Sequence, residues 1–391
     1  MKYFIIAGEA SGDLHAANLV RALREHDSDA CFYAYGGELM EAAGAKMLRY
    51  YRDIAYMGVV SVAMHAGTIL RAMARCRREI LEINPDVVIL VDYPGFNLAI
   101  AKYVKTKTSI PVYYYIAPKI WAWKESRIKL LKAYVDEIFS ILPFETEFFR
   151  QRGVYVHYVG NPTVDEVDDY RRLHYADLPE EFAAQNGLNP ARKIVAVLAG
   201  SRKQEINYNL RRMLVAARPL AKRGYQLVVA GAPNIDDNIY MRNIPASMLE
   251  NGEVGIVSCK TYALLGFAAS ALVTSGTATL ETALFKVPQV VCYYIPMGRV
   301  VSFLRKKLLK VKYISLVNLI AGREIVRELV ADGMTVGNVR AELERITLDD
   351  ASRAGMLEGY EDLAGILGGV GASARAAQGI TACLQKRMEA R

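Results

Sequence analysis

Short, unbroken apolar runs recur along this chain, each ending in a glycine-rich or polar turn and followed by an amphipathic stretch. Tyr3–Gly8 leads into a helix expected over Asp13–Glu25, and Cys31–Tyr35 leads to Gly36-Gly37 and a short helix. Val87–Asp92, Val112–Ile116 and Ile138–Leu142 repeat the run. None alternates apolar with polar residues. Strands covered by helices on both faces read this way, whereas a half-wetted strand would alternate. Strands and helices alternating at this spacing predict an α/β fold with a parallel, doubly wound sheet. A polar stretch at roughly 165–189, holding Asp165, Glu166, Asp168, Asp169, Arg171, Arg172 and Pro179, breaks the pattern and reads as a linker. The runs then restart at Lys193–Gly200, Gln226–Gly231, Ala271–Ser275 and Gln289–Tyr293. A chain of 391 residues is longer than a single core supports, roughly 250–300 residues. Two α/β domains facing a central cleft are therefore expected, at 1–165 and 190–365, with 366–391 as a final helix able to pack back on the first.

Composition narrows the function classes. At 52% hydrophobic and 23% charged, the chain is globular in character. Its apolar N-terminal run, Tyr3–Ala7, is too short for a signal peptide and meets Glu9 and Asp13 at once. No stretch reaches the roughly 18 uncharged apolar residues of a transmembrane helix. A cytoplasmic protein is expected, with attachment to a membrane surface left open. The five cysteines form no CxxC pair, and the histidines show no HExxH or other metal spacing, so neither a disulfide framework nor a metal is expected. The net charge of +8 permits an anionic partner. Nucleic acid fits less well, because neither half carries a helix-turn-helix, an RNP signature or a basic stripe with exposed aromatics.

In parallel sheets, ligands bind beyond the carboxyl ends of the strands. Five such ends here carry distinctive turns. In GEASGD, 8–13, Glu9, Ser11 and Asp13 exceed what a helix cap needs, although Ser11 or Asp13 capping free amides is the plainer reading. In DYPGFN, 92–97, a carboxylate at the mouth of a buried strand suits a general base, and Asn97 suits orienting a hydroxyl. Asp92 capping the next helix accounts for the same pattern equally well. APKIWAW, 117–123, holds Trp121 and Trp123 beside Lys119 and Lys124. Aromatic faces with cations suit a sugar phosphate, but one core and one surface tryptophan is the simpler account. At AGSRKQEI, 199–206, Gly200, Ser201 and Arg202 open a helix. Arginine at a helix start opposes the dipole, which favours a phosphate cradle over capping. At TSGTATLE, 274–281, Ser275, Gly276 and Thr277 offer hydroxyls and amides to a diphosphate, and Glu281 could accept the hydroxyls of a ribose; a capped helix is the alternative. Two basic-apolar stretches remain, Ile54–Leu70 followed by Arg71, Arg75, Arg77 and Arg78, and Arg299–Lys312. They suit a membrane interface as well as an ordinary amphipathic helix.

GEASGD, MGVV (57–60), DYPGFN, PKIWAW, LPFE (142–145), GSR, SGTATLE and YISLVNLIAGRE (313–324) occur in the order found in lipid-A-disaccharide synthases, which the chain resembles over nearly its whole length. The resemblance implies a GT-B glycosyltransferase with two Rossmann-like domains, the second holding the nucleotide. It implies transfer of 2,3-diacylglucosamine from UDP to the 6-hydroxyl of 2,3-diacylglucosamine 1-phosphate. The products would be UDP and a β-1′,6-linked disaccharide 1-phosphate, made at the cytoplasmic face of the inner membrane without metal or other cofactor. Carried over by position, Asp92 matches the essential aspartate, Arg202 the phosphate-binding arginine, Glu281 the ribose-binding glutamate and Asn318 an asparagine near the donor. Glu9, Asp92 and Asn97 form the candidate catalytic set. Ser61, Lys119 and Asn161 depart from the family pattern. Two rivals are another UDP-sugar enzyme of this fold, such as an epimerase or a transferase with a soluble acceptor, and a non-catalytic basic membrane-binding protein.

Overall fold

A computed structural model describes residues 1–53, 66–122, 124–233, 235–294 and 312–390. The basic-apolar readings at Ile54–Leu70 and Arg299–Lys312, with Ser61 and Trp123, fall wholly or mostly outside these residues. The chain divides into two units, Met1–Pro162 with Val370–Arg391, and Thr163–Gly369.

The first unit is built on seven strands: β1 (Lys2–Ala7), β2 (Cys31–Gly36), β3 (Lys46–Tyr50), β4 (Val87–Val91), β5 (Val112–Tyr115), β6 (Glu137–Ser140) and β7 (His157–Tyr158). They lie in the order β3-β2-β1-β4-β5-β6-β7, every pairing parallel. The unbroken apolar runs follow from two-sided burial. Tyr3, Ile5, Val87, Ile89, Val91 and Tyr113 face one core, shared with the helices Ala10–His26 and Ala372–Glu389. Phe4, Ile6, Val88, Leu90, Val112 and Tyr114 face the other, against the helices Ala66–Ile83 and Pro94–Lys107. Each fully buried aliphatic side chain contributes about 1.5–3 kcal/mol relative to exposure, so β4, buried along its whole length, anchors whatever its end carries. The last helix is fixed by Arg375, whose Nε donates to the Val159 carbonyl at 2.8 Å, and by Arg387, which pairs with Asp136 at 3.1 Å.

The second unit holds β8 (Lys193–Leu198), β9 (Tyr225–Gly231), β10 (Val254–Ser258), β11 (Ala268–Thr274), β12 (Gln289–Tyr293) and β13 (Glu328–Val330), in the order β10-β9-β8-β11-β12-β13, all parallel. The polar stretch at 165–189 is not a linker. It forms the helices Pro162–Leu173 and Pro179–Gln185, and Val167, Phe182, Ala183 and Leu188 enter the core of this unit. Asp168, Asp169 and Arg172 are exposed, while Arg171 packs over Phe285 and donates to the Leu284 carbonyl. Val167 and Tyr170, three residues apart on the inward face, carry the packing. No described helix is long and apolar enough to cross a membrane.

Candidate active site

The end of β4 is the most constrained point of the first unit. Asp92 and Tyr93 both adopt left-handed backbone, φ 43° and 44°. For residues with a side chain this costs of order 1–3 kcal/mol each and persists only where neighbours over-determine it. Here they do. The Asp92 N–H donates to the Tyr115 carbonyl at 3.2 Å. The Asp92 carbonyl accepts from the Asn97 amide at 2.8 Å and from the Tyr114 hydroxyl. Pro94 then starts the next helix, where no amide hydrogen is required. Gly8 makes the corner possible from the β1 side, because a Cβ there would lie 2.3 Å from the Tyr93 ring. The Asp92 carboxyl is pushed above the ordinary carboxylate range by burial; Lys119, the Tyr93 N–H and His15 pull the other way. The result is a carboxylate on a rigid mount with a raised proton affinity, as a general base requires.

Behind it lies Glu145, fully buried, accepting from Trp121 Nε1 at 2.8 Å and from the Ser140 hydroxyl. Burial raises its carboxyl to about 7, its two hydrogen bonds and Lys119 lower it, and the charge of Asp92 adds to the rise. This bond unites two motifs of the sequence, since Trp121 belongs to PKIWAW and Glu145 to LPFE. Trp121 is accordingly a core residue with a hydrogen-bonded tip.

In the second unit, the adjacent strands β8 and β11, about 4.8 Å apart where they pair, bring Gly200–Arg202 and Ser275–Thr277 to the same edge of one sheet. At the first exit Glu205 closes the turn, accepting from the Ser201 N–H at 3.1 Å and pairing with Arg202 at 3.0 Å. A carboxylate of the chain itself thus sits where the amide and the guanidinium converge, which marks the turn as anion-seeking. Gly200, at φ 120°, is required, because a Cβ would come within 2.6 Å of that carboxylate. At the second exit Ser275 donates to the Ile314 carbonyl at 3.0 Å, while Gly276 and Thr277 are exposed. No side chain caps the helix Thr277–Leu284 that follows, and a Cβ on Gly276 would meet nothing within 4 Å. Glu281 lies half-buried in the second turn, close enough to Tyr262 to raise its hydroxyl, though burial is the larger cause.

The comparisons with known proteins agree over the whole chain. A family profile described as Lipid-A-disaccharide synthetase matches residues 3–358. The lipid-A-disaccharide synthase of Myxococcus xanthus (strain DK1622) is 38% identical over 383 residues, covering 97% of this chain and 96% of its own length. The chain belongs to the lipid-A-disaccharide synthase family. The synthase of Trichlorobacter lovleyi is 36% identical over 381 residues, 96% of each chain. Among solved structures, the S. aureus MnaA–UDP co-structure aligns with a TM-score of 0.70 at 16% identity, over 98% of this chain and 97% of that one. UDP-GlcNAc 2-epimerase from Neisseria meningitidis, bound to UDP-GlcNAc, aligns at 0.67 and 12%, over 99% and 100%. These structures carry the GT-B fold and not the reaction. Membership makes this chain a glycosyltransferase with a UDP-sugar donor and a phosphate-bearing glucosamine acceptor.

For this synthase family member, two expected site residues prove to work from behind. Asn97 is fully buried, and its amide hydrogens go to the carbonyls of Asp92, Val91 and, at 3.5 Å, Ile6. It holds the β4 exit and has no donor left to orient a substrate hydroxyl. Asn318 is likewise sealed in: its amide donates to Val326 and Glu328, and its oxygen accepts from the Ile325 and Val326 N–H groups. It folds the 318–328 loop, with its amide and its oxygen both engaged within the chain. Asp13 accepts from the N–H groups of Gly37, Leu39 and Met40, capping the helix Glu38–Ala42, and Glu9 lies half-buried before the helix Ala10–His26. Asn209, which carried no sequence signal, bonds Thr274 at 3.1 Å and the Tyr294 N–H at 2.9 Å and so sets the β11 exit. Glu137, His157 and Cys383, although far apart in sequence, bring ligand-type atoms within 4.8 Å of one another.

Proposed function

We propose that this enzyme transfers a 2,3-diacylglucosamine unit from UDP to the 6-hydroxyl of 2,3-diacylglucosamine 1-phosphate, with inversion at the anomeric carbon. Asp92 takes the proton from the acceptor hydroxyl as that oxygen attacks. The bond from the anomeric carbon to the UDP oxygen breaks as the new bond forms, and an α-linked donor gives a β-linked product. Arg202 and the backbone amides around Ser275, Gly276 and Thr277 meet the charge growing on the departing diphosphate. Glu281 takes the ribose hydroxyls. The reaction runs at the cytoplasmic face of the inner membrane, to which the protein attaches peripherally.

The observation that supports this reading best is the Asp92–Tyr93 corner, a strained acid held by three neighbours and kept above its ordinary range by burial. Simple capping would not require that mount. The test is a radiolabel assay with acylated UDP-glucosamine and acylated glucosamine 1-phosphate. The wild-type protein is expected to release UDP only as disaccharide forms, and Asp92→Ala to fold but not to turn over. Near-normal turnover of that variant would remove Asp92 from the mechanism. Donor interconversion with no acceptor present would favour an epimerase instead.

A further inference from the structure

The first unit carries a pocket of about 500 Å³ whose described lining includes Tyr35, Thr68 and the arginines Arg49, Arg71, Arg75 and Arg78. Arg71, Arg75 and Arg78 stand at i, i+4 and i+7 on the helix Ala66–Ile83, and so share one face. Arg49 comes from β3, directly opposite Tyr35 on β2. No carboxylate is among the described lining residues. The nearby Glu79 accepts from the Tyr35 hydroxyl at 2.7 Å, and Glu82 approaches only Arg78, at 3.6 Å with both side chains exposed. Among the described residues, Arg49, Arg71 and Arg75 have no ion pair. Like charges one helical turn apart repel, yet this face keeps three around a concavity. An anion that accepts from several guanidinium forks at once would relieve that repulsion.

The position of the pocket narrows the anion. Tyr35 and Arg49 are next to last in their strands, so the pocket opens at the carboxyl edge of the sheet. Tyr35, Ile6 and Leu90 form one row across β2, β1 and β4, and Asp92 follows just beyond that row. The pocket and the proposed base therefore open on one edge of one sheet, two strand spacings or roughly 10 Å apart. Long arginine side chains and a hexose phosphate together bridge such a gap. We propose that the four-arginine pocket holds the phosphomonoester of the acceptor sugar, placing its far hydroxyl toward Asp92. A phospholipid headgroup offers related chemistry, but a membrane is a broad surface, and a concave site with converging forks suits a single dianionic group. The inference rests on the acceptor being a phosphorylated glucosamine.

The test is steady-state kinetics in detergent mixed micelles with wild type and Arg71→Gln/Arg75→Gln, using the phosphorylated acceptor and the same acceptor lacking phosphate. The variant should raise KM for the phosphorylated acceptor about 10²- to 10⁴-fold, the scale of two lost charge-assisted bonds, with donor KM unchanged. Wild type should lose a similar factor when the phosphate is removed, and the variant nothing further. Arg71→Lys should lose less, since it keeps the charge but not the fork. Arg150→Gln, an exposed charge paired with Glu147 on another helix, should leave acceptor KM alone. A variant that still prefers the phosphorylated acceptor as strongly as wild type overturns the proposal. So does normal acceptor KM in micelles with lost binding to vesicles of anionic phospholipid, which would assign the pocket to the membrane. If wild type turns over neither substrate, the reading of the reaction fails by itself. Calorimetry with glucosamine 1-phosphate then decides the pocket: binding by wild type that the double variant loses supports it, and equal binding or none refutes it. Unchanged thermal unfolding of the variant separates these results from misfolding.

Discussion

The exits of β4 and β11 are built differently on the same strand-turn-helix grammar. At β4 the backbone is strained, the acid is partly buried, and its main chain is tied by Tyr115, Asn97 and Tyr114. At β11 the turn is extended and exposed, and the following helix begins with uncapped amides and room above Gly276. A base must hold one atom in one place with its proton affinity tuned, which favours rigidity and desolvation. A diphosphate is large, flexible and highly charged, and an open rim of amides takes it at less structural expense. In the proposed mechanism, strain goes with chemistry and openness with binding.

The largest effect that could break this contrast is at Asp92. Asp92→Asn keeps the shape and removes the base; kcat should fall about 10³- to 10⁴-fold, at the upper end of what general-base catalysis supplies, while UDP affinity measured by calorimetry stays within about twofold. Loss of UDP affinity together with rate would mean that the β4 exit is a binding element as well. Because burial raises the Asp92 carboxyl, the acid limb of kcat/KM should lie above the ordinary aspartate range, with rate lost as pH falls through it.

A smaller effect is expected from Glu145. Burial pushes its carboxyl up to about 7 in the folded protein, against 4.5 for the free side chain. Between those values the native state holds a proton that the unfolded chain has lost, so stability falls as pH rises through this window, by up to about 3 kcal/mol. Glu145→Gln should flatten the dependence in denaturant titrations from pH 4.5 to 8. An unchanged slope would place the titration elsewhere.

Much of the fold was legible in the amino-acid sequence because central strands of a doubly wound sheet are apolar on both faces. The strands that escaped notice were β3, β7, β10 and β13, and each is an edge strand. With one side unpaired they are short or only half-buried, as the patterns of Lys46–Tyr50, His157–Tyr158 and Glu328–Val330 show, and no continuous apolar run announces them. The stretch at 165–189 misled for a related reason: charges on the outer face outnumber the few residues, such as Val167 and Phe182, that pack. In the candidate site, Asp92 and Arg202 were placed at strand exits by the ends of the apolar runs, and the structure has them just after β4 and β8, with Glu281 inside the helix that follows β11. The supporting shell was not. Asn97 and Asn318 looked like ligand-binding side chains, and only their buried backbone partners reveal otherwise. Glu145 and Asn209 act through partners distant in sequence, which spacing cannot disclose.

Two glycines sharpen the comparison at lower cost to the enzyme. Gly8→Ala forces a methyl against the Tyr93 ring. Overpacking of this kind costs about 1–3 kcal/mol, and the displaced Tyr93 should carry Asp92 with it, lowering kcat as well as the unfolding temperature. Gly276→Ala meets no protein atom within 4 Å, and its extended backbone suits alanine. Its thermal unfolding should stay within about 1 °C of wild type, since a substitution without contacts seldom changes stability by more than about 0.5 kcal/mol. What it can obstruct is a ligand. If phosphate oxygens approach the amides at the start of this helix, the added methyl should raise donor KM about three- to tenfold, the scale of one weakened hydrogen bond to a charged group. A donor KM unchanged in a protein that unfolds normally would show that the diphosphate does not lie over Gly276, and would leave the β8 exit with Arg202 as the anion site of this unit.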